Sequence, residues 1–314
     1  MKIPKNKIIM ILTSFFVALG FLFVNKDVAQ AVETVEEPWA QPTFVYGGGL
    51  SGEEAAQTRG LLNISEGDTA EVEIVGTDVD NYLGLSGTST SSLISSVLVE
   101  RTSNGSGVQV NLATPDNITT ITEQQYSNAA ITAGVEDVNI DVASIRQATG
   151  ESALTGVYKA FEANGESLDN DRMQVAQEEL EVTSDIEQSM NEEQSTQFNQ
   201  VIINIKQTIN NYYEDNGQAP TEEELRQIID DLVTEYNLTN VVNGDQINNL
   251  IVLFQNYANT DAVNSEAVQE QLNQLSDRIG QIWTDVEESG ILERIWNAIV
   301  EFFQSIAGIF NQEA

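Results

Sequence analysis

The spacing of apolar residues changes near residues 165–171, and this change constrains the fold more than any other feature of the sequence. Before it, short segments such as Thr69–Val75 alternate apolar and acidic residues, which predicts half-buried strands. After it, apolar residues recur every three or four positions, as amphipathic helices require. One series keeps heptad spacing and consists of Val268, Leu272, Leu275, Ile279, Ile282 and Val286. The sequence therefore predicts an α+β N-terminal domain at residues 43–165, followed by an all-helical C-terminal domain at residues 166–314.

Local signals in the first part predict individual elements. The predicted strands are Thr43–Tyr46, Thr69–Val75, Ser92–Arg101, Val108–Leu112 and Val138–Val142, and the predicted helices are one opened by Ser51, Thr122–Ala133 and Ser152–Ala163. The turn Ser103–Gly107 predicts a hairpin between the strands on either side of it. Thr155 and Gly156 are small enough for close packing of a helix on a sheet. The second part predicts a helix at Met173–Met190 and a capped helix after Thr221.

The first 31 residues resemble a cleavable export signal. Lys2, Lys5 and Lys7 precede the apolar stretch Ile8–Val24, and Ala29-Gln30-Ala31 offers the small residues that signal peptidase accepts. An uncleaved anchor helix is the alternative, because the stretch approaches the length of a membrane span. Cleavage would leave a flexible lead-in at residues 32–42 and no integral membrane span. We therefore expect a secreted protein, extracellular or associated with the cell envelope.

Histidine and cysteine are both absent from the sequence. Without them the chain cannot use Ser-His-Asp or Cys-His catalysis, the usual zinc sites or thiol redox chemistry. Stability must come from packing, since no disulfide can form. Because these residues are absent, the groups left for catalysis are ones such as carboxylates. A non-catalytic protein is therefore the favoured interpretation.

The charge of the chain is strongly negative. Removing residues 1–31 takes away four of 13 Lys and Arg and one of 49 Asp and Glu, leaving 9 against 48 and a net charge of −39. Nucleic acid is excluded as a partner, because binding to phosphates depends on Lys and Arg. The surface either collects cations or is a solvated acidic face that keeps an exported protein soluble. The second interpretation is favoured, and the partner is unknown.

Two carboxylate clusters are candidates for calcium, the single cofactor that the sequence suggests. They contain Asp78 and Asp80, and Asp169 and Asp171. Neither has the ligand spacing, the Gly turn or the distal Glu of an EF-hand loop. A solvated loop is the alternative for both clusters, and it is favoured because such clusters arise readily in so acidic a chain.

Residues 291–310 are apolar around most of a helix circumference. The candidate contact residues for a partner or a membrane surface are Trp296, Phe302, Phe303, Ile306 and Phe310. An interfacial helix normally carries Lys and Arg on its polar face, whereas this segment has Arg294 beside Glu293 and Glu301. Burial in the helical domain or self-association is therefore the favoured interpretation.

No catalytic residue is predicted. Paired carboxylates could hydrolyse a glycoside, but they need a defined separation, and so acidic a chain offers many pairs. Ser152 and Lys159 would lie on one face of a helix but about 10 Å apart along its axis, too far for a dyad. Lys159 is expected to pair with a carboxylate such as Glu162 or Glu151.

Five short motifs carry a resemblance to a known family. They are Gly49-Leu50-Ser51, Tyr82-Leu83-Gly84, Ile94-Ser95-Ser96, AITAGVED at 130–137 and SALTGVYKAFE at 152–162. The chain resembles the YpuA-like family of secreted Firmicute proteins, named as domain of unknown function 1002. The resemblance implies secretion and brings no activity and no functional residues. The favoured function is an exported, non-catalytic protein of the cell envelope or its surroundings, acting by binding or assembly. The alternatives are a carboxylate-based extracellular hydrolase and a peripheral membrane protein docking through residues 291–310.

Overall fold

A computed structural model describes residues 39–282 of the chain. Its strands are β1 (Thr43–Gly47), β2 (Ala70–Ile74), β3 (Ser96–Arg101), β4 (Val108–Leu112) and β5 (Val138–Ala143). Its first helices are α1 (Gly52–Leu61), α2 (Gly76–Leu83), α3 (Glu123–Ala133) and α4 (Ser152–Ala163). The later helices are α5 (Asn170–Glu187), α6 (Glu192–Asn216), α7 (Glu222–Glu235), α8 (Gly244–Ala258) and α9 (Glu266–Ile282). The mixed sheet in the N-terminal part and the helices that follow it confirm the predicted order, an α+β part followed by a helical part.

The strands form one mixed sheet in the order β2-β1-β3-β5-β4. β1 pairs with β2 in parallel, and β4 pairs with β5 in parallel. The two inner pairings, of β3 with β1 and with β5, are antiparallel. Within the described residues, each edge strand is therefore joined to the sheet by a parallel pairing.

The predicted hairpin between β3 and β4 is wrong. β5 lies between these two strands, so that Val138 faces Arg101 of β3 on one side and Val108 of β4 on the other. Asp137 holds the ends together, because its carbonyl accepts from the Thr102 N–H at 2.7 Å and its Oδ1 accepts from the Gly107 N–H at 2.8 Å. A glycine-rich turn between two strands permits a hairpin but does not exclude a third strand that inserts later.

One face of the sheet packs against α4 and the main helical core. Val45, Val97 and Val142 are fully buried there. Gly156 of α4 permits this approach, since a Cβ at this position would lie 3.0 Å from Cγ2 of Val97. The small residues of α4 therefore serve close helix–sheet packing, as predicted. The opposite face carries a smaller cluster around Phe44 beneath the end of α1.

The buried apolar residues of the sheet and of the helices form one continuous cluster. It extends from Val45 in β1 to Ile279 in α9. The residues with heptad spacing belong to this cluster as far as Ile279, and Val268 and Leu272 are fully buried. The division into two domains at residue 165 is not confirmed, because α3 and α4 of the first part pack into the same core as α5 and α6.

The end of the predicted lead-in makes defined contacts. The Trp39 indole N–H donates to Oε1 of Glu166 at 2.5 Å, and its ring meets Phe161 edge-on, with centroids 5.1 Å apart. The expected flexibility of residues 32–42 therefore does not extend to Trp39. The predicted leader at residues 1–31 and the candidate contact residues Trp296, Phe302, Phe303, Ile306 and Phe310 lie outside the described residues. Among the helices that are described, none has the length and hydropathy to cross a bilayer.

Gly76 lies where two backbone segments touch. A Cβ at this position would lie 1.9 Å from the carbonyl oxygen of Thr88, a contact that no side chain can make. We expect Gly76→Ala to lower the free energy of unfolding by about 1–3 kcal/mol through overpacking. Urea unfolding measures the change in the free energy of unfolding.

Gly60→Ala in α1 is the matched control, since nothing lies within 4 Å of its added Cβ. Its expected effect is stabilising and below about 1 kcal/mol, and equal effects of the two changes would contradict the packing argument.

Candidate functional site

All eight Lys and Arg residues between 39 and 282 are engaged by other groups of the chain. Seven form ion pairs, which are Arg59–Glu71, Arg101–Glu166, Arg146–Glu54, Lys159–Asp78, Arg172–Asp261, Lys206–Glu179 and Arg226–Glu222. The eighth, Arg278, donates to the carbonyl of Val108 in edge strand β4 at 2.7 Å. In this part of the chain each basic group thus has a partner within the chain, and the charge offered to another molecule is predominantly that of carboxylates.

A cluster of ionic and hydrogen-bonding groups surrounds Lys159 in α4. Its Nζ lies 3.0 Å from Oδ1 of Asp78 and 2.9 Å from Oε2 of Glu162, and the Tyr82 hydroxyl also donates to Glu162. Burial lowers the pKa of Lys159, but the hydrogen bonds and charges of Glu162 and Asp78 outweigh it and raise that pKa. Hydrogen bonds from Tyr82 and Lys159 lower the pKa of Glu162.

This cluster joins α2 to α4 as an ionic contact. A lysine with a raised pKa stays charged and is a poor nucleophile. The predicted pairing of Lys159 with Glu162 is confirmed, and Asp78 is a partner that the sequence did not indicate. The SALTGVYKAFE motif therefore combines a close-packed sheet contact at Gly156 with an ionic contact at Lys159 and Glu162.

The calcium candidates Asp78 and Asp80 are held by backbone groups. Asp78 accepts from the Val75 N–H at 2.9 Å with the oxygen that does not face Lys159. Asp80 accepts from the N–H groups of Gly87 and Thr88, at 2.8 and 3.1 Å. Hydrogen bonds from Thr88 lower the pKa of Asp80. Both carboxylates thus fix the turns around α2.

The other pair, Asp169 and Asp171, lies at the start of α5. Asp169 is the N-cap and accepts from the Arg172 N–H at 3.0 Å, while Asp171 faces an open cleft. Across residues 39–282 there is no group of three or more carboxylates placed to hold a metal ion. Calcium binding stays a prediction.

The clefts on the described surface include two open ones. The larger, of about 330 Å³, separates α5 from α8 and is lined by Asp171, Gln174, Val175, Glu178, Asn256, Asn259 and Thr260. Glu178 is engaged there by the Asn256 amide at 2.8 Å. The smaller, of about 190 Å³, follows the outer edge of β4 beside α3 and α9. Amide and carboxylate groups dominate the larger cleft, which suits a small polar or cationic molecule.

A buried polar site joins α3, α5 and α6, and we call it the Lys206 site. It consists of Lys206, Glu179, Asn128 and Thr132. Lys206 is fully buried and its Nζ lies 2.6 Å from Oε1 of Glu179, which is 2 % exposed. The Thr132 hydroxyl donates to the other oxygen of Glu179 at 2.7 Å. The same Nζ lies 3.0 Å from the backbone oxygen of Asn128 and 3.5 Å from its Oδ1.

Two effects in the Lys206 site shift the pKa of Lys206 in opposite directions. Burial lowers the pKa of the Lys206 ammonium, and the charge of Glu179 partly offsets that effect. The side-chain nitrogen of Asn128 is buried and has no hydrogen-bond partner. An unpaired buried amide is costly, so this arrangement is a local exception to the usual satisfaction of polar groups.

Sequence reasoning missed the Lys206 site. Lys206 lies four residues after Ile202 and next to Ile205, so it belongs to the buried stripe of its helix. A lysine within an apolar stripe, in a chain with very few lysines, is the signal that could have found it. Glu179 and Asn128 lie on two other helices, and no local pattern links them to Lys206.

Glu187, at the end of α5, is a second buried acid. It accepts from the Ser195 hydroxyl and, at 2.9 Å, from the Asn199 amide. Burial raises the pKa of Glu187 to about 7, although these two hydrogen bonds act in the opposite direction. Glu187 contributes to neither cleft lining, so its position fits a contact between α5 and α6.

These features define a class of protein built on one mixed sheet, with its main helical core against one face and with its described basic groups engaged by other groups of the chain. The chain belongs to the family described as "Protein of unknown function (DUF1002)", whose profile matches residues 46–275. It is 29% identical over 269 residues to the "Uncharacterized protein YpuA" of Bacillus subtilis (strain 168), over 82% of this chain and 88% of that protein. No solved structure matches the chain. The resemblance carried by the five motifs is thereby confirmed.

Proposed function

We propose that the protein is exported and acts without catalysis, by binding or assembly in the bacterial cell envelope or its surroundings. The observation that carries this proposal is the internal use of every basic group in the described residues. The exposed charge left for a partner is anionic, which favours basic groups or bridging cations on the partner. The leader pattern at residues 1–31 supports export.

The hydrolase alternative has less support. A catalytic acid needs a pKa near the working pH and a place beside the substrate. Glu187 has a raised pKa but is buried against Ser195 and Asn199. Glu178, which lines the larger cleft, is engaged by Asn256. The membrane-docking alternative depends on residues 291–310, which lie outside the described residues.

Cell fractionation tests the proposal. We expect the protein in the envelope fraction of the producing cells, with Val32 as its N-terminal residue. Because the proposed contact is ionic, high salt should release the protein, while a non-ionic detergent alone should not. Ala31→Phe is the matched control: it should block cleavage, because signal peptidase requires a small residue there.

Three outcomes would contradict the proposal. A protein found free in the medium, with nothing cross-linked to it, would refute envelope assembly. Retention in the cytoplasm with an intact leader would refute export. Release by detergent but not by salt would favour docking through the apolar C-terminal segment.

A further inference from the structure

Three reactive groups meet in the Lys206 site without access to water. They are the Lys206 amine, the Asn128 carboxamide and the Glu179 carboxyl group. The amine nitrogen lies 2.6 Å from Oε1 of Glu179 and 3.5 Å from Oδ1 of Asn128. Because Cγ of Asn128 is bonded to Oδ1, these contacts place the amine next to the carboxamide that it would attack. Groups held together in a fixed orientation react far faster than the same groups free in solution.

We propose that Lys206 and Asn128 join in an intramolecular isopeptide bond, with Glu179 as the group that transfers the proton. The new bond links Nζ of Lys206 to Cγ of Asn128, and the bond between Cγ and Nδ2 of Asn128 breaks. The side-chain nitrogen of Asn128 leaves as ammonia. The reaction needs no oxidant, reductant or other co-reactant, because it exchanges one amide for another.

The proton balance closes within the site. Glu179 takes a proton from the Lys206 ammonium, and the neutral amine then attacks Cγ of Asn128. The tetrahedral intermediate passes a proton from Nζ, through Glu179, to the departing Nδ2. The departing ammonia then takes from Glu179 the proton that Lys206 first gave up. The released product is therefore an ammonium ion, and Glu179 is a carboxylate again.

Three observations favour this reaction over a permanent ion pair. Lys206 is fully buried, and burial favours the neutral amine that the attack requires. The leaving nitrogen, Nδ2 of Asn128, has no hydrogen-bond partner to hold it. Glu179 contacts the nucleophile directly, and Thr132 fixes its second oxygen.

The bond would also give this cysteine-free chain a covalent link between two of its helices. It would close a loop between positions 78 residues apart and fasten α3 to α6. In a protein with no cysteine, an amide bond is a covalent cross-link that remains available. Such a link restricts the unfolded chain in the way a disulfide does. The inference does not depend on the proposed function.

The mass of the denatured wild-type protein is the first test. We expect it to be lower, by one ammonia, than the mass calculated from the sequence with the same N-terminus. A mass equal to the calculated value would overturn the proposal. A loss of water in place of ammonia would also overturn it, because that result indicates a bond between Lys206 and Glu179.

Tryptic digestion of the denatured protein locates the bond. An acylated lysine resists trypsin, so we expect residues 173–226 to remain uncut at Lys206 and to be joined to residues 102–146. Lys159 is the matched control within the same chain, since it should be cleaved normally. Separate peptides 102–146, 173–206 and 207–226 would overturn the proposal.

Two variants test the roles of the partners. Glu179→Gln removes the proton carrier and should give the full calculated mass with normal cleavage at Lys206. A Glu179→Gln protein that is still cross-linked would refute the role of Glu179. Asn128→Asp should lose water and give a product of the same mass as the cross-linked wild type. If Glu179→Gln does not fold, the mass of the wild-type protein still decides whether the bond exists.

Discussion

Glu179→Ala should lower the free energy of unfolding by at least about 3–5 kcal/mol, because it leaves a buried Lys206 ammonium without a partner and also removes the group that the proposed isopeptide bond requires. Lys206 would remain fully buried among helices with no carboxylate to face. The Thr132 hydroxyl would lose its acceptor as well. Chemical denaturation of the variant and the wild type, at the same pH, measures the difference.

Two further variants show whether the unpaired charge of Lys206 causes the loss of stability in Glu179→Ala. Adding Lys206→Met to Glu179→Ala should restore part of the lost stability, because the double variant buries no uncompensated ammonium. Glu222→Ala removes the partner of Arg226 in a pair where Glu222 is 67% exposed. Its expected effect is below about 1 kcal/mol. A loss for Glu179→Ala as small as that would contradict the assignment of a buried ion pair.

Glu187→Gln should remove a pH dependence of stability worth roughly 3 kcal/mol, since each unit of pKa shift corresponds to about 1.4 kcal/mol. Burial raises the folded-state pKa of Glu187 from its ordinary value of 4.5 to about 7. Between these values the folded protein binds a proton that the unfolded chain releases. The contribution of Glu187 is therefore fully present at pH below 4.5 and is lost as the pH rises to about 7.

The measurement is the free energy of unfolding across that pH range for both proteins. The stability of the wild type should fall relative to Glu187→Gln as the pH rises, because the glutamine amide is neutral throughout. Glu193→Gln is the control, since Glu193 is an exposed acid in the first turn of α6, next to the same inter-helix turn. Parallel curves for the wild type and Glu187→Gln would show that Glu187 titrates normally.

Local elements could be predicted from the sequence because their causes are local. Ser51 and Glu54 form the capping box that opens α1, and Gly134 ends α3 in the left-handed conformation that glycine favours. The alternation in Thr69–Val75 correctly indicated a half-buried strand. The short helix α2 was missed, since Val75 is an atypical N-cap and the capping carboxylate is Asp78, three residues later.

Strand order and the buried polar groups could not be predicted in the same way. The insertion of β5 between β3 and β4 depends on pairings between residues far apart, which periodicity does not encode. The Lys206 site combines residues from three helices, with Asn128 and Lys206 separated by 78 positions. Closely spaced acidic residues suggest calcium ligands, whereas in the structure Asp78 and Asp80 accept hydrogen bonds from nearby N–H groups and Asp78 pairs with Lys159.

The position of β5 also constrains the order in which the chain can fold. β4 is synthesised before β5, yet within the described sheet its strand partner is β5, and β5 also separates it from β3. Residues 108–112 therefore have no strand partner until residues 138–143 have emerged from the ribosome. Pairings that must wait for later segments slow folding and leave strand edges open to other chains. A chaperone that shields residues 108–112 until about residue 143 has been synthesised would protect this protein from pairing with other chains.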